Sequence, residues 1–211
     1  MKELVLIGIL VSTYFMVIAR RIQALIGHFR LQSFFLFLAT VIIALTEKGA
    51  DLYIIAGLLF IIKVWLIPYL LNKTIKRINA GDNIGMTINS QLSLICALLF
   101  TFFAWTFSRG LFSGTSQTGI SIIAVAFFMV MAGLFLMVFR ITALAQVGGL
   151  LVMENGLFLL ASTVSGGMPF FVEIAIFFDV FVSVVIMGFF VYRINKLFTH
   201  IDVDKLSHLK G

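Results

Sequence analysis

Long apolar stretches separated by short clusters of charge dominate the chain. Runs rich in Leu, Ile, Val, Phe and Ala cover Leu4–Ala19, Leu31–Thr46, Leu52–Leu71, Leu92–Phe107, Ile120–Phe139, Ala143–Val164 and Phe170–Ile194. Each approaches the roughly 20 residues a helix needs to cross a hydrocarbon core about 30 Å thick. Lipid offers backbone N–H and C=O groups no partner, so a crossing segment is a helix or part of a closed barrel. Barrel strands alternate apolar and polar positions over about 10 residues, and these runs do not. The pattern predicts an all-α polytopic membrane bundle of seven transmembrane helices. The second run is short for a crossing, and its helix is open to an earlier start within Ile22–His28.

Composition agrees with the pattern. Of 211 residues, 62% are hydrophobic and 11% charged, against about 25% charged in an ordinary soluble domain. A soluble reading is set aside. Lys2 is offset by Glu3, and no small-x-small site precedes Arg20-Arg21. The first helix is therefore expected to be retained rather than cleaved as a signal.

Basic residues then set an expected orientation. Arg20, Arg21, Arg30, Lys73, Lys76, Arg77, Arg140, Arg193, Lys196, Lys205 and Lys210 fall in the first, third and fifth connections and the C-terminal tail. The other side holds only Lys2, Lys48 and Arg109. This asymmetry predicts an N-terminus outside and a C-terminus in the cytoplasm. It also accounts for the net charge of +6 without a nucleic-acid partner.

Three ionisable residues break the apolar runs at depth. Glu154 is about 17 Å into the sixth helix and Asp179 about 14 Å into the seventh, at 1.5 Å per residue. Lys63 lies at similar depth in the third. A charge near a bilayer midplane costs at least about 2.5–3.5 kcal/mol, and such residues mark ion or proton paths. A shared, polar or ion-paired interior is the economical arrangement for all three. Each also has a plainer reading. Glu154 could be a structural carboxyl bonded to a neighbouring helix, and Asp179 could accept from Ser183 one turn on. Lys63 could only neutralise a carboxylate or snorkel, although snorkelling is strained at mid-span. Glu173, near the outer end of its helix, ranks below these as an interfacial residue. Pro68 removes the helical bond to the carbonyl of Val64, which frees that oxygen for a polar group.

Other chemistry is scarce. The single cysteine, Cys96, lies in the fourth run, which leaves no thiolate set for an iron–sulfur, zinc or nickel site. His28, His200 and His208 are expected outside the helices, so a bis-His haem between spans is not expected, and no Gly-rich phosphate loop is present. Gly148-Gly149 reads as close helix packing and Gly166-Gly167 as a loop. No cofactor is expected in this chain.

The stretch Leu136–Asn155, LMVFRITALAQVGGLLVMEN, resembles the second-helix entry of chain K of complex I, the NADH–quinone oxidoreductase. Arg140, Gly149, Leu150, Met153 and Asn155 match that family's pattern in register, and the tail from Ile201 to Gly211 is similar too. The family's glutamate falls at Leu151 here, one helical turn before Glu154, and its second intramembrane glutamate corresponds to Asp179. A longer resemblance is to hydrogenase-4 component E, a membrane subunit of complex-I-like [NiFe] hydrogenases. It is carried by Met153-Glu154-Asn155-Gly156, Val172-Glu173-Ile174, Asp179, the tail Asp202-Val203 through Leu209-Lys210-Gly211, and Lys63-Val64 with Leu66 and Pro68. It covers nearly the whole chain, strongly from Leu136 and weakly before Leu52.

That resemblance implies a four-helix N-terminal unit over residues 1–118 and a chain K-like three-helix bundle with a short tail over 119–211. It implies a cell (inner) membrane location and a place among antiporter-like and arm-anchoring membrane subunits. A peripheral hydrogenase arm on other chains would carry the nickel–iron and iron–sulfur centres. Glu154, Asp179, Lys63 and secondarily Glu173 would serve as proton relay groups. Two other functions stay open: the K-like small component of a multisubunit cation/proton antiporter, and a purely structural scaffold. A stand-alone transporter fits less well, since no inverted repeat or paired broken helices are visible.

Overall fold

The computed structural model describes residues 2–47, 50–77, 84–112, 114–164 and position 188. Its helices are α1 (Lys2–Ile18), α2 (Ile22–Glu47), α3 (Ala50–Leu59), a π-helical stretch (Phe60–Leu66), α4 (Ile67–Arg77), α5 (Ser90–Leu111), α6 (Gln117–Phe139) and α7 (Ala143–Val164). Among the described residues there is no strand, only one antiparallel bridge between Met86 and Arg140. Five helices among them are long and apolar enough to cross a membrane: Ile22–Leu45, Tyr53–Lys73, Ser90–Leu111, Gln117–Phe139 and Ala143–Thr163. The first helix is apolar but shorter. The seventh expected run, with Glu173 and Asp179, lies outside the described residues.

Large apolar side chains face outward along the helices, and several polar ones are buried beside the apolar core. Leu4, Trp65, Phe102, Phe103 and Val138 are exposed, whereas Thr13, Gln32, Ser33, Lys63, Glu154 and Asn155 are buried. Apolar groups facing outward and polar groups facing inward are what a hydrocarbon solvent selects. The chain is a membrane protein by this pattern and by its helices.

The second helix begins at Ile22, nine residues before the apolar run and within the earlier start that the sequence left open. Two expectations are corrected, because it takes in both His28 and Arg30. Ile22, Leu25, Ile26 and Phe29 are all buried, a helical spacing that carries the turn through the charged positions. His28 is therefore inside a helix, its ring stacked on Phe15 at 5.2 Å, and Arg30 is not in a connection. Elsewhere the helices extend the apolar runs by a few residues, and α7 spans Ala143–Val164 as expected.

One buried apolar cluster runs through both halves of the chain, joining Ile9, Leu25, Leu59 and Ile67 to Met129 and Leu151. Helices α6 and α7 approach each other through Gly133, Gly149 and Gly156. At one end of the bundle three connections meet. Ile84 donates to the carbonyl of Arg20 at 3.1 Å, and Ile141 and Thr142 donate to Gly85 and Ile84 at 3.2 and 3.3 Å. The α1–α2, α4–α5 and α6–α7 links thus lie on the same side.

Candidate functional site: a buried ion pair on an amide chain

Lys63 occupies the π-helical stretch, midway along the span Tyr53–Lys73. There the bond from Ile67 N–H reaches back five residues to the carbonyl of Ile62. Such wide turns occur mostly as local insertions in α-helices, often at functional sites. Pro68 follows directly and has no N–H to donate backward. The segment turns Lys63 and Val64 inward, between the buried Leu59 and Ile67, while Phe60, Ile61 and Trp65 face out.

Glu154 sits near the middle of the span Ala143–Thr163. The Lys63 Nζ donates to Glu154 Oε1 at 2.5 Å and to Asn155 Oδ1 at 2.8 Å. Lys63 is 0% exposed and Glu154 6%, so the pair is screened from water and lipid alike. Among the described residues, Glu154 Oε2 is buried and has no hydrogen-bond partner. Removing both charges from water is expensive, and only close pairing with further hydrogen bonds offsets it.

Asn155 extends the site across two more helices. Its Nδ2 donates to Gln32 Oε1 at 3.1 Å and to Ser33 Oγ at 3.3 Å, both on α2. Gln32 Nε2 donates to Thr13 Oγ1 on α1 at 2.7 Å. Thr13 in turn donates to the carbonyl of Ile9 at 2.7 Å. A continuous polar line therefore runs from the π-helical stretch through α7 and α2 to α1.

The depth reading placed Lys63 and Glu154 in one plane, and they are in direct contact. Asp179 and Glu173 lie outside the described residues. Sequence reasoning missed Asn155 as a site residue, and with it Gln32, Ser33 and Thr13. A signal was present: Gln32-Ser33 is a polar doublet flanked by Leu31, Phe34 and Phe35, and Asn155 adjoins Glu154.

Near the clasp of connections, Arg140 is buried and donates to the carbonyl of Val17. This places a cation by the C-terminal end of α1, where the helix dipole favours it. Burial pulls its guanidinium down from the ordinary value to about 10, which leaves it charged at neutral pH. A cavity of about 310 Å³ between α1, α5 and α6 is lined mostly by apolar groups such as Leu6, Leu10, Val125 and Phe128. None of its lining residues belongs to the ion-pair site. Among the described residues no group of three or more His, Cys, Asp or Glu side chains could hold a metal ion.

The fold and site define an α-helical integral membrane protein built round a buried lysine–glutamate pair. Its relatives are distant ones. It is 26% identical over 208 residues to hydrogenase-4 component E of Escherichia coli strain K12, covering 96% of this chain and 94% of that protein. The same figures hold for hydrogenase-4 component E of Shigella flexneri. An uncharacterized protein of Mycobacterium tuberculosis is 22% identical over 204 residues, covering 96% of this chain and 93% of its own. No family model matches the chain, and no solved structure matches it.

Proposed function

We propose that this chain is a membrane subunit of a complex-I-like membrane-bound [NiFe] hydrogenase, in which the Lys63–Glu154 pair forms part of a mid-membrane polar axis for proton or cation translocation. The observation that carries the reading is the 2.5 Å contact between Lys63 Nζ and Glu154 Oε1 at the middle of two apolar spans. An intramembrane ion pair is costly to keep, and such pairs mark relays in pumps and transporters. The distant similarity to hydrogenase-4 component E over nearly the whole chain supplies the class of complex.

On this reading the chain has seven spans, with its N-terminus outside and its C-terminus in the cytoplasm of an inner-membrane protein. Residues 1–118 form the added N-terminal unit and 119–211 the chain K-like bundle. Asp179 continues the path from Glu154, with Glu173 in a secondary place. Antiporter-like and arm-anchoring subunits flank the chain, and electron-transfer centres reside on a peripheral arm. Events in that arm alter the Lys63–Glu154 pairing and so the protonation of Glu154.

The scaffold reading keeps one support: the pair and its amides knit helices together, which is also a structural service. The two separate on Glu154→Gln. In the assembled complex, the relay reading expects proton uptake coupled to turnover to fall to background with assembly intact. Full uptake at normal assembly would sink it, and loss of assembly would favour the scaffold. Purification in mild detergent, with nickel measured in the accompanying chains, tests the assigned company.

A further inference from the structure

The hydrogen bonds that lead from Lys63 through Asn155 and Gln32 to Thr13 run in one direction, and the direction is forced by chemistry. An ammonium has three donors and no acceptor. The Asn155 atom facing it at 2.8 Å is therefore the oxygen Oδ1. Its Nδ2 is then turned to α2 and must donate, which makes the atom of Gln32 that it meets Oε1. Gln32 Nε2 must donate in turn, so Thr13 Oγ1 accepts. Thr13 is left to give its own proton to the carbonyl of Ile9. Along Asn155, Gln32 and Thr13 each donor faces α1 and each acceptor faces Lys63. Thr13, Gln32, Ser33, Lys63 and Asn155 are each fully buried.

A proton moves along a hydrogen-bond chain only where each member can take one and release another. Primary amides carry two donors and a carbonyl acceptor, and neither ionises near neutrality. The far end closes on a backbone carbonyl, which has no proton to pass on. The other side of the pair differs. Glu154 Oε2 is buried with no hydrogen-bond partner among the described residues, and a carboxylate becomes a neutral acid by taking up one proton.

We infer that Thr13, Gln32 and Asn155 form a one-way, non-conducting support that positions the Lys63 ammonium, so that no proton leaves the buried pair toward α1. This rests on the reading of Lys63–Glu154 as a working proton site. Gln32 and Thr13 are then positioning residues: they touch no transferred proton, and they act through Asn155. The same line makes α1 and α2 part of the site rather than a passive addition to α7.

The test uses two readouts on Gln32→Met, which keeps side-chain length and removes the hydrogen bonds. The first is proton uptake by membrane vesicles carrying the complex with which the chain co-purifies. The second is the dipolar contact between Lys63 ¹⁵Nζ and Asn155 ¹³Cγ, read by solid-state NMR on the full chain in phospholipid vesicles. The expected result is a weakened contact and uptake reduced about 2- to 10-fold, the range one hydrogen bond commands. Uptake should stay above that of Glu154→Gln. A fall to the Glu154→Gln level in an intact complex would mean that the amides conduct, and overturns the inference. An unchanged contact with unchanged uptake also overturns it. Should Gln32→Met fail to assemble, Thr13→Val removes only the terminal hydroxyl and is judged on the same two readouts. Full uptake by Glu154→Gln would sink the relay reading itself, while the NMR contact would still report on positioning.

Discussion

Gly133 on α6 and Gly149 on α7 face each other backbone to backbone. A Cβ added at Gly133 would stand 2.6 Å from the carbonyl oxygen of Gly149, and one added at Gly149 would stand 2.7 Å from that of Gly133. Gly156 repeats the contact two turns on, 2.9 Å from the carbonyl of Ala126. Because the obstacle is backbone, no side-chain rotation relieves it. Small residues at such interfaces allow membrane helices their close approach. The approach fixes the azimuth of α7, and that azimuth aims Glu154 and Asn155 at Lys63.

Gly149→Val is therefore expected to separate α6 from α7. The cost should be about 1–3 kcal/mol or more, the range of overpacked cores, with a loss of the Lys63–Glu154 contact. Gly27 has nothing within 4 Å of its would-be Cβ, so Gly27→Ala should change stability by no more than about 0.5 kcal/mol. Unfolding in mixed micelles measures both, and equal effects would refute the contact argument.

How far the sequence spoke depended on the kind of signal. The ends of α7 were readable because Arg140 and the Gly166-Gly167 pair bracket a mostly apolar run. The start of α2 was legible only as an open choice: His28 and Arg30 lower the hydropathy, although Ile22, Leu25, Ile26 and Phe29 keep a helical stripe. The common depth of Lys63 and Glu154 followed from counting residues. Their facing did not, since rotation about each helix is decided by packing such as Gly133 against Gly149. The π-helical turn has no hydropathy signature at all, and Pro68 hinted only at a missing bond. Asn155, Gln32 and Thr13 were passed over because a search for charge does not weigh neutral amides and hydroxyls, although in hydrocarbon they too demand partners.

Removing one member of a buried pair strands the other. Lys63→Met leaves the Glu154 carboxylate buried without its cation, a loss of about 3–5 kcal/mol by the behaviour of such pairs. The double variant Lys63→Met with Glu154→Gln removes both charges of this pair and should be more stable than Lys63→Met alone. A double-mutant cycle on the unfolding free energy reads this directly. Additive losses would mean that the two side chains do not share their charge.

Pro68→Ala restores an N–H one α-turn after the Val64 carbonyl. The expected outcome is a tightening of Phe60–Leu66 toward α-helical bonding, which turns Lys63 away from Glu154. Amide hydrogen exchange should show a newly protected proton at position 68, and coupled proton uptake should fall with helix content unchanged. Normal uptake together with that new protection would show that the π turn is dispensable.

The clasp at the other end of the bundle offers a test remote from the ion pair. Gly85 has φ +63°, and a Cβ there would lie 3.2 Å from Cβ of Ile141. The left-handed backbone costs an L-residue about 1–2 kcal/mol, and the contact with Ile141 adds to it. Gly85→Ala should therefore loosen the ladder in which Ile141 and Thr142 donate to Gly85 and Ile84. Hydrogen exchange at the Ile141 and Thr142 amides should quicken, by about tenfold for a 1.4 kcal/mol loss. Protection in the middle of α7 should hold, because Glu154 lies about 18 Å along the helix from Thr142 at 1.5 Å per residue. Should protection collapse over all of α7 as well, clasp and ion pair belong to one cooperative unit, and the division between anchoring end and working centre would fail.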